Sequence, residues 1–170
     1  MMKKIFVILL VLVLFTGCAQ DPSVPDNMQL ASRADVAYCL YVPKTWNVNL
    51  DSGVSSAFYS SDDPANISVM SYMPEGESMS IDDYWKFSEE TYQTSFDNYT
   101  FVSSETTLLG GRKAGKYIFT ATVGGVESKL MQIIAAYDQM FYVFTYTASP
   151  ETFDSHLEEV QNIADHFVFR

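Results

Sequence analysis

The chain has 170 residues, with 10 Lys and Arg against 21 Asp and Glu, a formal net charge of −11, and 48% hydrophobic and 15% aromatic residues. That length suits one domain with a sizeable core, and the acidic balance excludes the basic stripe that nucleic acid selects and opposes adsorption to anionic headgroups. Two cysteines, Cys18 and Cys39, exclude a disulfide framework and a cysteine-based zinc site.

The N-terminus opens with Lys3-Lys4, continues with an unbroken apolar run over 5–15, and closes with Thr16-Gly17-Cys18. This is the layout of an export signal. The run holds eleven residues, whereas a helix needs about 20 to cross a bilayer core. The stretch Phe15-Thr16-Gly17-Cys18 resembles the lipobox of bacterial lipoproteins, with Phe15 where leucine is usual. The resemblance implies that residues 1–17 are removed and that Cys18 becomes a lipid-modified first residue. The protein is then expected on the extracytoplasmic face of a membrane, at the cell surface or in a periplasm, with the membrane as its partner through the anchor. Two acyl chains suffice for stable attachment, so the domain itself needs no membrane-binding surface.

Residues 18–35 contain Asp21, Pro22, Pro25, Asp26 and Asn27 and few large apolar side chains, which predicts a flexible tether and places the domain at 36–170. Short β-type runs follow. Residues 36–42 form the first, stopped by Pro43; 47–50 and 54–60 flank Asp51-Ser52-Gly53, a hairpin turn by composition; 66–73 alternates only partly, which a strand covered on both faces explains. The period then changes: Ile81, Tyr84, Trp85, Ser88, Tyr92 and Phe96 recur at steps of three and four, which predicts a helix over 81–96 capped by Ser80. Strands are predicted over 100–109, 113–123, 126–137 and 140–148, with Gly110-Gly111, Gly124-Gly125 and Asp138-Gln139 between them. The last carries apolar bulk on both faces and belongs in the middle of a sheet. Ser149-Pro150-Glu151 predicts a helix start, and Phe153, Leu157, Val160, Ala164 and Phe167 its apolar stripe. Strands, helix, antiparallel strands and helix in that order indicate an α+β fold.

Catalytic signatures are absent: there is no Gly-x-Ser-x-Gly elbow, Walker loop, His-Glu-x-x-His or dinucleotide fingerprint, and no cofactor is implied. His156 and His166, ten residues apart, lie about 80° apart around a helix and cannot share an ion; the acidic neighbours of His156 suggest a solvated helix face. Asp62, Asp63 and Asn66 are candidate oxygen ligands for calcium or another divalent cation, although a turn rich in Asp, Pro and Asn also explains them. Trp46 and Tyr59 are candidate ligand or partner contacts, with core packing the competing explanation for Trp46. Tyr59, Tyr72, Tyr99 and Tyr117 are the tyrosines most expected to form an exposed patch. Cys39 sits in an apolar strand and is expected to be a buried thiol.

Three motifs add to this. Tyr41-Val42-Pro43-Lys44-Thr45-Trp46 has the form of an early Pro-x-x-Trp turn, Asp62-Asp63-Pro64-Ala65-Asn66-Ile67-Ser68-Val69 sets Asp and Asn before a strand, and Leu109-Gly110-Gly111-Arg112-Lys113-Ala114 opens the hairpin series. Together with the closing helix over 153–167 they resemble the PsbP-like family, which includes the extrinsic PsbP protein of photosystem II and related bacterial lipoproteins. The resemblance implies an α-β-α sandwich, a twisted antiparallel sheet flanked by helices, and a non-enzymatic accessory or protein-binding role. The alternatives are a small-ligand or cation-binding module and an enzyme of unrecognised type.

Overall fold

The structure, a computed structural model, describes residues 23–51, 55–74 and 79–170. Residues 1–17 and Cys18 lie outside them, as do Ser52 and Gly53 of the turn expected between the strands at 47–50 and 54–60. Among the described residues are eleven strands, two α-helices and one 3-10 turn, with the α+β order read from the sequence.

Seven strands make one antiparallel sheet: β4 (Asn47–Asn49), β5 (Ser55–Phe58), β6 (Asn66–Tyr72), β10 (Met140–Ala148), β9 (Val126–Tyr137), β8 (Arg112–Val123) and β7 (Asp97–Leu109), in that spatial order. The β7–β8 and β8–β9 turns are Gly110-Gly111 and Gly124-Gly125, all four at positive φ, as two-residue hairpins require. The β9–β10 turn uses Asp138 and Gln139 at φ 48° and 63°.

Alternation along β9 and β10 divides the core into two clusters. Met131, Ile133, Ala135, Tyr142, Phe144 and Tyr146 pack with Val160, Ile163 and Ala164 of α2 (Leu157–Asp165). Leu130, Ile134, Phe141 and Val143 pack with Trp85 of α1 (Ile81–Ser95). Both faces of β10 are therefore filled, as expected for a central strand. The cap of α1 is also as expected: the Ser80 hydroxyl accepts the Asp83 N–H at 3.1 Å and donates to the Asp83 carboxylate at 2.6 Å.

Four expectations change. Residues 36–42 are not one strand: β2 (Tyr38–Cys39) pairs with β11 (Val168–Phe169), and β3 (Tyr41–Pro43) pairs with β1 (Met28–Leu30). The expected tether over 18–35 is thus folded from Met28 onward, eight residues before Val36; Met28, Ala31 and Ser32 are buried, and Ser32 bridges the Tyr38 carbonyl and the Leu40 N–H. Composition undervalued this segment because it needs few apolar residues when β3 and Trp46 supply the surface. β6 is covered on one face only, with Ile67 and Val69 buried and Met70 and Tyr72 exposed. Finally, no α-helix starts at Ser149: a 3-10 turn (Phe153–His156) precedes α2. The Phe153 carbonyl receives the Tyr146 hydroxyl at 3.0 Å, in competition with the N–H that would continue an α-helix there.

Arg170 is tied to residues 34–39. The Arg170 N–H donates to Ala37, its Nε to Cys39 Sγ at 3.1 Å and its Nη1 to Ala34, while Tyr137 donates to the Arg170 carbonyl at 3.1 Å. Cys39 is buried, as expected.

Gly110 joins the hairpin series to β11. A Cβ on it would sit 2.6 Å from the Phe169 ring at φ +55°, whereas Gly111, at φ +72°, has open space around it. A left-handed non-glycine residue costs about 1–2 kcal/mol. Urea denaturation should therefore show Gly111→Ala losing about 1 kcal/mol and Gly110→Ala losing more, because only the latter also displaces Phe169; equal losses would refute the close approach.

Candidate functional site

Two places on the domain gather polar groups. The first lies where the β5–β6 loop meets the 3-10 turn. In the loop, Asp63 Oδ1 accepts the Ala65 N–H at 3.0 Å and the Ser60 hydroxyl accepts the Asp63 N–H at 3.0 Å. Asp and Ser before Pro64 make this turn through their short side chains. The turn aims Asp63 Oδ2 at His156, whose Nε2–H donates to it at 2.7 Å. The His156 ring lies 4.4 Å from the ring of Tyr59, which meets Trp46 edge to face at 5.7 Å.

Trp46, Tyr59 and Asp63 are therefore brought together, and His156 is the residue that sequence reasoning missed. Its expected solvated position is corrected: His156 is buried at 8% exposure. It ends a 3-10 turn rather than sitting within an α-helix, so its phase differs from the one the stripe assumed. Four residues of a 3-10 turn leave no periodic signal; the acidic partner 93 positions earlier leaves none either.

Burial of Asp63 opposes its ionisation, but the hydrogen bonds from His156 and the Ala65 N–H, with the charge of His156, outweigh it and hold the carboxyl below its ordinary value. The Tyr146 hydroxyl, raised by burial and by the nearby Asp63 and Asp154, stays protonated and donates to Phe153. Lys129 pairs with Asp154 at 3.0 Å and lies 4.4 Å over the Phe153 ring, fixing the outside of the same turn.

The other cation-ligand candidates do not join Asp63. Asp62 is exposed, and the Asn66 amide donates to the Pro64 carbonyl at 3.1 Å. Among the described residues no group of three or more His, Cys, Asp or Glu side chains converges. Trp46 is 2% exposed and its indole N–H meets no acceptor among them. An unmatched buried donor costs about 1–3 kcal/mol; burying a ring of 150–250 Å² contributes roughly 4–6 kcal/mol, so packing wins and the ring stays inside.

The second place is a cavity of about 220 Å³ between the start of α1 and the β7–β8 hairpin, lined by Ser80, Asp82, Thr106, Lys113 and Gly115 among others. Asp82 on its lining accepts a hydrogen bond at 3.3 Å from Tyr117, which stacks on Trp85 at 4.1 Å with the rings 6° from parallel. A Cβ on Gly115 would fall 2.5 Å from the Tyr117 hydroxyl. Burial, then the neighbouring Asp82, push that hydroxyl up to about 12, so it acts as a donor at neutral pH.

The expected tyrosine patch is largely internal. Tyr117 is buried, Tyr59 and Tyr99 are half-buried, and Tyr72 is the exposed one at 40%. The exposed apolar surface lies elsewhere: Met70 and Met73 flank Tyr72, and Phe101, Val102 and Leu108 lie along β7. Among the described residues no helix is long and apolar enough to cross a membrane.

No protein-family model matches the chain, and no curated protein does. Solved structures do. A protein of unknown function from Pseudomonas aeruginosa, PA94, described as a putative regulator, is 15% identical with a TM-score of 0.62, over 85% of this chain and 98% of that one. Cyanobacterial PsbP (CyanoP) from Synechocystis sp. PCC 6803 is 14% identical with a TM-score of 0.59, over 92% of this chain and 99% of that one. LpqN of Mycobacterium tuberculosis, involved in cell envelope biogenesis, is 11% identical with a TM-score of 0.51, over 86% and 80%. The chain has an α+β fold similar to that of PsbP, as the sequence motifs imply.

The Asp63–His156 pair sets a pH dependence. Because the folded carboxyl titrates below its unfolded value, its contribution is complete above about pH 4 and is lost as pH falls through the folded value. Asp63→Asn should lower stability at neutral pH by about 1–3 kcal/mol and flatten the acid limb of a stability-against-pH curve. An unchanged limb would remove Asp63 from that role.

Proposed function

We propose that the protein is a lipid-anchored extracytoplasmic lipoprotein whose PsbP-like domain, an α-β-α sandwich, serves as a non-enzymatic binding or accessory module. The observation carrying this reading is the uncovered end of the sheet beside α1. Met70, Tyr72 and Met73 are 60%, 40% and 63% exposed there, and Tyr72 reaches Tyr84 of α1 at 5.6 Å. Exposed methionine and tyrosine on a rigid sheet are favoured in protein interfaces, where large adaptable side chains meet a partner. The leader over 1–17 and the Gly17-Cys18 pair supply the address. LpqN, involved in cell envelope biogenesis, and cyanobacterial PsbP share the fold; fold alone does not transfer their roles.

A second reading, a small-ligand module, is favoured by the cavity beside α1, where the charges of Asp82 and Lys113 sit with the hydroxyls of Ser80 and Thr106. A divalent-cation site at Asp62, Asp63 and Asn66 would have to draw Asp63 away from His156.

Two measurements test the leading reading. Mass spectrometry of the native protein should find a diacylglyceryl-modified residue 18 and no residues 1–17, and Cys18→Ser should move the protein out of the membrane fraction; an intact Met1 with a free sulfur at 18 would overturn the anchor. Affinity purification from solubilised membranes should recover one reproducible partner, with binding weakened at least about tenfold, or about 1.4 kcal/mol, for Met70→Asp with Tyr72→Ser. Undiminished recovery would place the contact elsewhere.

A further inference from the structure

The two edges of the large sheet are built differently. β4 is three residues long, and Pro43 and Lys44 precede it closely. β7 is thirteen residues long, ends the strand order among the described residues, and contains no Lys, Arg or Pro. Long open edges usually carry such residues, because an unpaired row of N–H and C=O groups pairs with any strand that reaches it. β7 has two irregularities, between Asp97 and Thr100 and around Val102, where its register with β8 shifts. From Ser103 to Leu109 the pairing with β8 is regular, so the outer edge there is a straight strand about 24 Å long.

The side chains on that edge are suited to a copy of themselves. Its single charge, Glu105, is held by Lys116 at 2.8 Å. Exposed apolar groups stand near both ends: Phe101 and Val102, 42% and 52% exposed, at the second irregularity, and Leu108, 61% exposed, near the hairpin. We propose that β7 is a homodimerisation edge. Two copies pair Ser104 to Leu108 antiparallel about a twofold axis through Thr106, joining two seven-stranded sheets.

This register sets Leu108 opposite the partner's Ser104 and diagonal to the partner's Val102, beside the partner's Phe101, within reach of cross-strand contact. Symmetry makes the contact twice. Glu105 falls opposite the partner's Thr107, so no like charges face each other. For a chain of net charge −11, a nearly uncharged strip is where a second copy can approach.

Disulfide formation reads this geometry directly. On the axis, two residues at position 106 have Cα atoms about 4.5–5.5 Å apart, within the reach of a disulfide at up to about 7 Å, whereas two at position 103 lie roughly 20 Å apart. Under mild oxidation of the membrane-anchored protein, Thr106→Cys should give a cross-linked dimer well above the wild-type background from Cys39, and Ser103→Cys should not. Native mass spectrometry of the detergent-solubilised wild type should show a concentration-dependent dimer, and Thr106→Lys, which sets two ammonium groups against each other at an exposed position, should weaken it at least tenfold. Equal cross-linking at 103 and 106, a monomer at every concentration, or a different protein occupying β7 would each overturn the proposal. Should Thr106→Lys impair folding, the cysteine pair decides alone.

Discussion

The antiparallel pairing of β9 with β10 is the constraint on which the rest of the domain depends. Their registered residues, from Met140 with Tyr137 to Ala148 with Lys129, carry large apolar side chains on both faces. A sheet with such a centre has no water-exposed solution, so each face must acquire a layer. α1 brings Trp85 to one face; α2 brings Val160 and Ile163 to the other. Polar groups in the centre are matched where they occur: Gln132, 7% exposed, receives the Tyr92 hydroxyl at 3.2 Å from α1. The hydrogen bond gives α1 a fixed rotational setting that apolar contact alone would leave loose.

The two helices are secured by different physics. α1 is capped by Ser80, with Asp82 and Asp83 at the favourable end of its dipole, and its contacts include aromatic stacks onto β8 and β10. α2 is short, at nine residues, below the length at which helices are stable alone. Its entry is instead fixed by tertiary bonds: Tyr146 to the Phe153 carbonyl, His156 to Asp63, and Lys129 to Asp154. The Asp63–His156 hydrogen bond is the costly member, since removing Asp63 leaves the His156 ring N–H, on a residue 8% exposed, without that acceptor. Its value lies in locking the β5–β6 loop to the last helix, and thereby Tyr59 and Trp46 between them.

What could be read in the sequence follows the range of the forces involved. α1 was legible because one face buries apolar residues at a period of 3.6 while Ser80 and Asp83 mark its start locally. The four long strands were legible because glycine pairs and Asp138-Gln139 punctuate them. The first expected strand failed for the opposite reason: Leu40 separates two short strands whose partners are Met28–Leu30 and Val168–Phe169, and nothing near residue 40 announces either. The same holds at the site. Trp46, Tyr59 and Asp63 drew attention by residue type, but their meeting point is His156, and its acidic neighbours suggested a wet surface. A pairing across most of the domain leaves no periodicity to detect in a single sequence.

Neighbours that share this fold at 10–15% identity show how little of the sequence the architecture consumes. A sheet filled on both faces can be built from many combinations of apolar residues, which leaves the surfaces to diverge. In this chain the buried aromatic groups are matched to one another, Trp85 with Tyr117 and Tyr84 with Phe141, so they explain the core and nothing further. Exposed large apolar residues include Met70, Tyr72 and Met73 beside α1, and Phe101, Val102 and Leu108 along β7. Apolar groups held open to water on well-ordered strands gain nothing for folding. Those residues form two apolar surfaces, one a sheet face and the other a sheet edge.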